Sequence, residues 1–400
     1  MFRSSAIAGA CMLVWSGLPA AAGLSADIAA RGLAATEAAL VAEASPDDAA
    51  RLGLAGVRFL RGIERALQAR WTHGIAAERT EIPVLRLPIP PNPAPEPFAP
   101  GLIAALFAAL HGDMTAVQSA LAPLPAGDFG VTLRLGDLWF DIDGNGVRGP
   151  GEDVLAVAGL TLGPAGLRRP GTALADVTVR FDAADAAWLL AYSHLLRAVA
   201  ETVLALDTET AIAGVLADAQ ALAALREGTP PVNALDTLFG AQADRLLILW
   251  RALAQQPDPA RTRAARADLL AMIAANRTFW ARVAAETDDE DEWIPGDRQS
   301  AALGFVLPPG TGAHWLAVLD EAEAVLRGTR LVPHWRMGGG AGINLARLLD
   351  DPRPVDPAEW VHGAGLLPYA ERGARMSVES WRDFERLLRG DAALFALLLN

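Results

Sequence analysis

Apolar residues recur at helical spacing over most of the chain, which predicts a mainly α, multi-helix globular protein. The pattern is helical from Leu24 to Thr72. Residues 45–48 (Ser-Pro-Asp-Asp) favour a helix start between two apolar stretches, so residues 23–82 are expected to form an N-terminal helical hairpin. Further helices are predicted at residues 102–110, 114–121, 183–206, 208–225, 235–255, 259–286, 314–326 and 377–389.

A different pattern interrupts the helices between residues 130 and 181. Residues 131–140 alternate or are rich in aromatic side chains, and residues 154–162 and 175–181 are also typical of strands. A small antiparallel β element is therefore expected within a mainly helical domain of residues 101–400. Residues 83–100 carry eight prolines and form a connector that cannot be helical. This connector either packs along the surface or separates two domains.

One stretch between the predicted strands points to specific chemistry. Residues 141–152 (DIDGNGVRGPGE), called the ion loop below, match the calcium-loop pattern D-x-[DN]-x-[DN]-G-x5-E. Calcium binds six to eight oxygens, and such a loop supplies them at fixed offsets. The predicted ligands are the side-chain oxygens of Asp141, Asp143 and Asn145, the backbone carbonyl of Val147, and the bidentate carboxylate of Glu152. An ion-free Asp/Asn/Gly turn is the alternative.

The ion loop resembles the loop of the EF-hand superfamily, including dockerin-type modules. The resemblance covers these twelve residues only, and it implies bound Ca²⁺. An EF-hand has a helix on each side of its loop, whereas the flanks here are typical of strands. Arg148 occupies a position that is usually apolar in paired hands, and no second loop follows. The resemblance therefore favours a structural ion over a calcium sensor.

The N-terminus has the pattern of a secretory signal peptide over residues 1–22. Arg3 precedes an apolar run at residues 6–18, and Ala20–Ala22 supply a small-residue cleavage site. The run is shorter than the roughly 20 residues that cross a bilayer, so no transmembrane segment is expected in the mature chain. We expect a periplasmic or secreted protein. Cleavage near Ala22 removes Cys11, the only cysteine, which excludes disulfides and thiolate metal sites.

The charge of the chain narrows the possible partners. All 34 basic residues are arginine, which excludes lysine chemistry such as Schiff bases and P-loops. The formal net charge of −13 argues against nucleic acid as a partner. An acidic stretch at residues 286–292 is interpreted as a solvated loop or, alternatively, as a second cation site.

Tryptophan recurs beside polar residues in the last third of the chain. If their segments converge, His334, Trp335, Arg336, Trp360 and His362 would form a pocket for an anionic or sugar-like ligand. No HExxH or G-x-S-x-G motif occurs. The leading hypothesis is thus an exported, soluble calcium-binding protein with a structural ion. The alternatives are a secreted hydrolase acting on glycan or cell-envelope material, and an envelope protein-interaction module.

Overall fold

The structure, a computed structural model, describes residues 20–75, 87–162, 173–225, 228 and 234–390. Over these residues the fold is mainly α, as predicted, with two small antiparallel sheets of two strands each. The helices are α1 (Ala20–Val41), α2 (Asp48–Thr72), α3 (Leu102–Ala120), α4 (Val154–Leu162), α5 (Ala183–Leu204), α6 (Thr208–Ala224), α7 (Ala234–Leu253), α8 (Pro259–Ala285), α9 (Thr311–Leu326), α10 (Leu345–Asp350), α11 (Pro357–His362) and α12 (Glu379–Leu387).

Aspartates fix the start of several helices. The Asp182 carboxylate accepts from the N–H of Ala184 at 2.7 Å, and Asp185 closes a capping box over the first turn of α5. Asp258 caps α8 in the same way, ahead of Pro259. Such caps satisfy backbone N–H groups that have no partner within the helix. The predicted starts of these helices are confirmed for this physical reason.

The long helices pack around the pair α5 and α8. Helix α3 lies against α5, α2 against α3, and α1 against α2, while α9 and α10 contact α8. One continuous cluster of buried apolar residues extends from Leu24 in α1 to Leu388 after α12. A second, smaller cluster surrounds Ile343, Leu366 and Tyr369. Residues on both sides of the proline-rich connector therefore share one core.

The connector packs against the end of α2 where the structure describes it. Leu87 and Ile89 pack against the main core, the Asn92 side chain donates to the Trp71 carbonyl at 2.9 Å, and Glu96 N–H donates to the Thr72 carbonyl at 2.8 Å. The surface-packed alternative therefore holds for residues 87–100. Residues 1–19, with most of the predicted signal peptide, and residues 76–86 lie outside the described residues.

The first sheet contains β1 (Val131–Arg134) and β2 (Thr178–Phe181), which are antiparallel with Val131 opposite Phe181. The second contains β3 (Ala341–Ile343) and β4 (Ala370–Arg372). The predicted strand at residues 154–162 was wrong, because this segment is helix α4. Val154 and Val157 are both buried, and their spacing of three residues places them on one helical face. A short apolar run cannot separate these two possibilities by itself.

The two short helices predicted at residues 102–121 are one helix, α3. Gly112 lies inside it, and the next residue, Asp113, pairs with Arg65 of α2. This tertiary contact compensates for the weak helix propensity of glycine.

Within the described residues, α3 is long and apolar enough to cross a membrane by length and composition alone, and the bent pair α5–α6 passes the same test. Helices of soluble proteins pass it too.

An apolar cavity of about 280 Å³ lies within the main core. Its walls come from α1, α2, the β1–β2 sheet, α4 and α5. An empty apolar cavity reduces stability, because its lining atoms lack packing partners on one side.

Candidate metal centre

The ion loop brings together three of its predicted ligands. Asp141, Asp143 and Glu152 each place one carboxylate oxygen within 4.8 Å of the others. These distances allow the three oxygens to contact one cation. Carboxylate oxygens are ligands that hard cations such as Ca²⁺ prefer. The loop is thus an acidic cluster with the geometry of a metal site.

Two glycines make the tight turn of the loop. Gly144 and Gly146 have φ angles of 73° and 77°, a left-handed conformation that residues with a Cβ adopt at a cost. The turn lets the Gly146 N–H donate to Asp141 Oδ2 at 3.0 Å. The Asn145 N–H donates to Asp143 Oδ1 at 3.1 Å. Backbone N–H groups therefore orient both aspartates toward the interior of the loop.

Glu152 closes the loop from its far end. Its side chain is buried, with the residue 2% exposed. Glu152 Oε1 accepts from the Ile142 N–H at 2.8 Å, and Oε2 accepts from the Gly149 N–H at 2.6 Å. A buried carboxylate held on both oxygens has a fixed orientation. Glu152 is therefore positioned before any ion is bound.

Asp141 carries an oxygen that the described chain does not use. Asp141 Oδ1 is buried and accepts no hydrogen bond within the part of the chain that the structure describes. A buried polar atom without a partner costs about 1–3 kcal/mol. A cation shared with Asp143 and Glu152 would remove that cost. This oxygen is the clearest sign that the loop accommodates a further group.

Helix α2 holds the backbone of Asp141 on both sides. Glu64 Oε2 accepts from the Asp141 N–H at 3.0 Å, and the Gln68 side chain donates to the Asp141 carbonyl at 2.7 Å. Glu64 also accepts from Arg61. Burial raises the pKa of Glu64, although Arg61 opposes this effect. Sequence analysis did not identify Glu64 or Gln68. The available signal was a charged residue at a helical position between the apolar Leu60 and Leu67.

Trp139 attaches the same loop to α1. It is 3% exposed, and its indole N–H donates to the Ile28 carbonyl at 2.8 Å. Its ring packs on Gly32, where a Cβ would lie only 2.9 Å from the ring. Gly32 has a φ of 76°, and α1 is kinked there. The kink makes room for the tryptophan that leads into the ion loop.

The flanks of the loop differ from the expectation of a strand on each side. Before the loop, a 3₁₀ turn (Leu135–Asp137) is followed by a single antiparallel bridge between Trp139 and Asp153. After the loop comes α4. The loop therefore lies in the long connection between β1 and β2, and the strand expected directly after it is wrong, because that segment is α4.

The other two predicted ligands, Asn145 and Val147, lie at the exposed side of the loop. Asn145 Oδ1 accepts from the Val147 N–H at 2.7 Å, and the Asn145 amide donates to Asp143 Oδ2 at 2.7 Å. Arg148 pairs with Asp153 and donates to the Gly136 carbonyl, so its positive charge is held by groups outside the ligand set. The roles of Asn145 and Val147 as ligands stay predictions.

A second acidic cluster involves part of the acidic stretch. Asp182, Glu286 and Glu292 also approach within 4.8 Å of one another, close enough to share a cation. Asp182 and Glu286 line a cleft of about 260 Å³ together with Arg180 and Arg282. Burial first, and then the nearby charges of Glu286 and Asp182, raise the pKa of Glu292 to about 7. The two arginines compensate part of the negative charge here.

The structure brings the C-terminal candidates together at the surface. Arg336 Nη1 lies 3.5 Å from His362 Nε2, and the Arg336 guanidinium lies 4.5 Å from the centre of the Trp335 ring. The Trp335 indole donates to the Val361 carbonyl. Trp360 is partly buried against the small core cluster, and the His334 ring lies next to Gly363. Trp335 is 71% exposed, so the group is open to solvent, and the enclosed pocket stays a prediction.

Comparison with known proteins adds no relative. No protein-family model, no curated protein and no solved structure matches this chain.

Proposed function

We propose that the protein is an exported, soluble calcium-binding protein in which one Ca²⁺ stabilises the ion loop. The observation that carries this proposal is the convergence of the Asp141, Asp143 and Glu152 carboxylates within 4.8 Å around a buried Asp141 oxygen without a hydrogen bond. Three carboxylates at this distance repel one another, and a divalent cation converts the repulsion into coordination.

The contacts of the loop support a structural role for the ion. Asp141 is fixed to α2 through Glu64 and Gln68, and Trp139 is fixed to α1. An ion that orders the loop would therefore stabilise its attachment to both N-terminal helices. Calcium suits the site better than magnesium, because Mg²⁺ demands a smaller octahedral shell and retains its waters.

Isothermal titration calorimetry and thermal unfolding test the proposal. We expect one Ca²⁺ per chain, with a dissociation constant of about 10⁻⁴–10⁻³ M, the range of extracellular calcium modules. Calcium at 100 times that constant would stabilise the protein by about 2.7 kcal/mol. Glu152→Gln and Asp141→Ala should abolish the response, because each removes a ligand that converges in the loop.

Asp153→Asn is the matched control. Asp153 adjoins Glu152 but pairs with Arg148, so its loss should leave the calcium response intact. Glu292→Gln is a second control. It removes a carboxylate from the other acidic cluster, so the calcium response should again stay intact. If native protein binds no calcium at millimolar concentration, or if Glu152→Gln responds like the native chain, the proposal is wrong.

Export is the second part of the proposal. It is supported by the signal-peptide pattern of residues 1–22, and it would place the loop in a compartment where calcium is abundant. We expect N-terminal sequencing of protein from its native host to begin at Gly23. A mature chain that retains Arg3 would contradict export by cleavage.

A further inference from the structure

We propose that the core cavity binds one uncharged, predominantly apolar small molecule, such as a medium-length aliphatic alcohol or a compact terpenoid. The proposal goes beyond calcium binding and does not depend on it. It starts from the walls of the cavity, which come from α1, α2, the β1–β2 sheet, α4, α5 and the segments between them. The lining residues include Leu24, Ile28, Leu60, Leu133, Val179 and Leu189.

The size of the cavity suits a small ligand. Its volume of about 280 Å³ is close to the lower end of ligand pockets, which is about 300 Å³. Apolar cavities of about half this size bind benzene in other proteins and stay dry without it. A molecule that fills this cavity would also remove the stability penalty of an empty one.

The few polar groups on the wall select against charge. Among the described residues, Asp185 is the only ionisable one lining the cavity, and its Oδ2 already accepts from the Asp182 N–H at 3.1 Å. An anionic head group would meet no arginine or histidine within this described lining. Trp293 also lines the cavity, and its buried indole N–H has no hydrogen-bond partner among the described residues. One hydroxyl or carbonyl oxygen on the ligand would suit this donor.

Glycines on α2 create part of the space. Leu52, Gly56, Leu60 and Ile63 line the cavity from one face of the helix. A Cβ placed on Gly56 would meet no atom within 4 Å. Glycine inside a helix is destabilising relative to alanine. An open glycine among large apolar residues therefore leaves room that a side chain would otherwise fill.

The cavity also shares a wall with the metal centre. Leu138 and Phe140 precede the ion loop, Val154 and Val157 follow it, and all four line the cavity. A ligand in the cavity would contact both ends of the loop. Binding of a small molecule to the cavity is therefore to be measured both with calcium and with a chelator. Failure of the calcium proposal can then be distinguished from failure of this one.

Titration with the neutral fluorescent probe N-phenyl-1-naphthylamine tests the proposal on the full chain. We expect saturable binding of one probe per chain, with displacement by 1-decanol. Decanoate at about pH 8 should displace it at least tenfold more weakly, because the walls offer no cation to the carboxylate. The variant Gly56→Leu should weaken probe binding at least tenfold by occupying the cavity.

Gly112→Leu is the matched control. Gly112 also lies in a helix with open space around its Cβ position, but it does not line the cavity, so probe binding should be unchanged. If Gly56→Leu fails to fold, Gly56→Ala adds a single methyl group and should still weaken binding. The proposal is overturned if the native chain binds no probe. It is also overturned if the Gly56 variant binds the probe as tightly as Gly112→Leu, because the site would then lie elsewhere. Equal displacement by decanol and decanoate would overturn the selection for uncharged ligands.

Discussion

Replacing Trp139 by alanine is expected to reduce the free energy of unfolding by about 3–5 kcal/mol, the range for large aromatic side chains in cores. Trp139 is buried, fills the kink of α1 at Gly32, and donates to the Ile28 carbonyl. The variant loses the packing and leaves the carbonyl of Ile28 without this donor. Urea or guanidinium denaturation measures the effect, and calcium affinity should fall because the loop loses one attachment.

Two comparisons separate packing from hydrogen bonding at this position. Trp139→Phe keeps an aromatic ring and removes the N–H, so it should cost about 1–3 kcal/mol, less than alanine. Trp335→Ala removes the same side chain from an exposed position, and its effect should stay within about 0.5 kcal/mol. A Trp139→Ala protein as stable as the Trp335→Ala protein would contradict the role given to Trp139 in the core.

Stability should decrease as the pH rises from about 4.5 to about 7, in the presence of a chelator, because of Glu292. The pKa of Glu292 is about 7 in the folded protein, against an ordinary value of 4.5. Between these values the folded state binds more protons than the unfolded state, so the free energy of unfolding falls with pH. A shift of this size corresponds to about 3 kcal/mol at most, and solvent screening reduces the loss below that limit.

Glu292→Gln tests the assignment, since glutamine keeps the shape and removes the charge. The variant should be more stable than the native chain at about pH 8 and similar to it at about pH 4. Glu286 and Asp185 also have raised pKa values from burial, so a smaller dependence in the same direction should remain. Glu290→Gln is the control, because Glu290 is exposed and pairs with Arg180. An unchanged pH profile in Glu292→Gln would contradict the assignment.

Helix starts could be predicted where one side chain decides them. Asp182 and Asp258 each cap the helix that was predicted to follow them, and Asp356 caps α11 in the same way. The α4 segment could not be assigned, since eight of its nine residues are apolar or glycine and satisfy both periods. Strands β3 and β4 have three residues each, and their pairing with each other decides them rather than any alternation along the chain.

The candidate site, too, could be predicted from the sequence only in part. A motif with fixed spacing predicts that Asp141, Asp143 and Glu152 converge, because the spacing itself sets the turn. Glu64 has no such local signal, since its partner lies 77 residues later in the chain. The core cavity could not be predicted from the sequence, because residues far apart in the chain, from Leu24 to Leu303, form its walls. Gly56 is a sequence feature that points to the cavity, because it is a small residue on a helix face whose other residues are large and apolar.

The contacts that attach the ion loop to α1 and α2 determine whether the loop can be transferred to another protein. A peptide of residues 135–162 would carry all the predicted ligands, but it would lack Glu64, Gln68 and the Ile28 carbonyl. Those partners lie 77, 73 and 111 residues away from the groups they hold. A graft of the twelve residues into another protein would therefore transfer the ligands without the supports that orient Asp141. A transfer that keeps these supports would have to include α1 and α2 together with the loop.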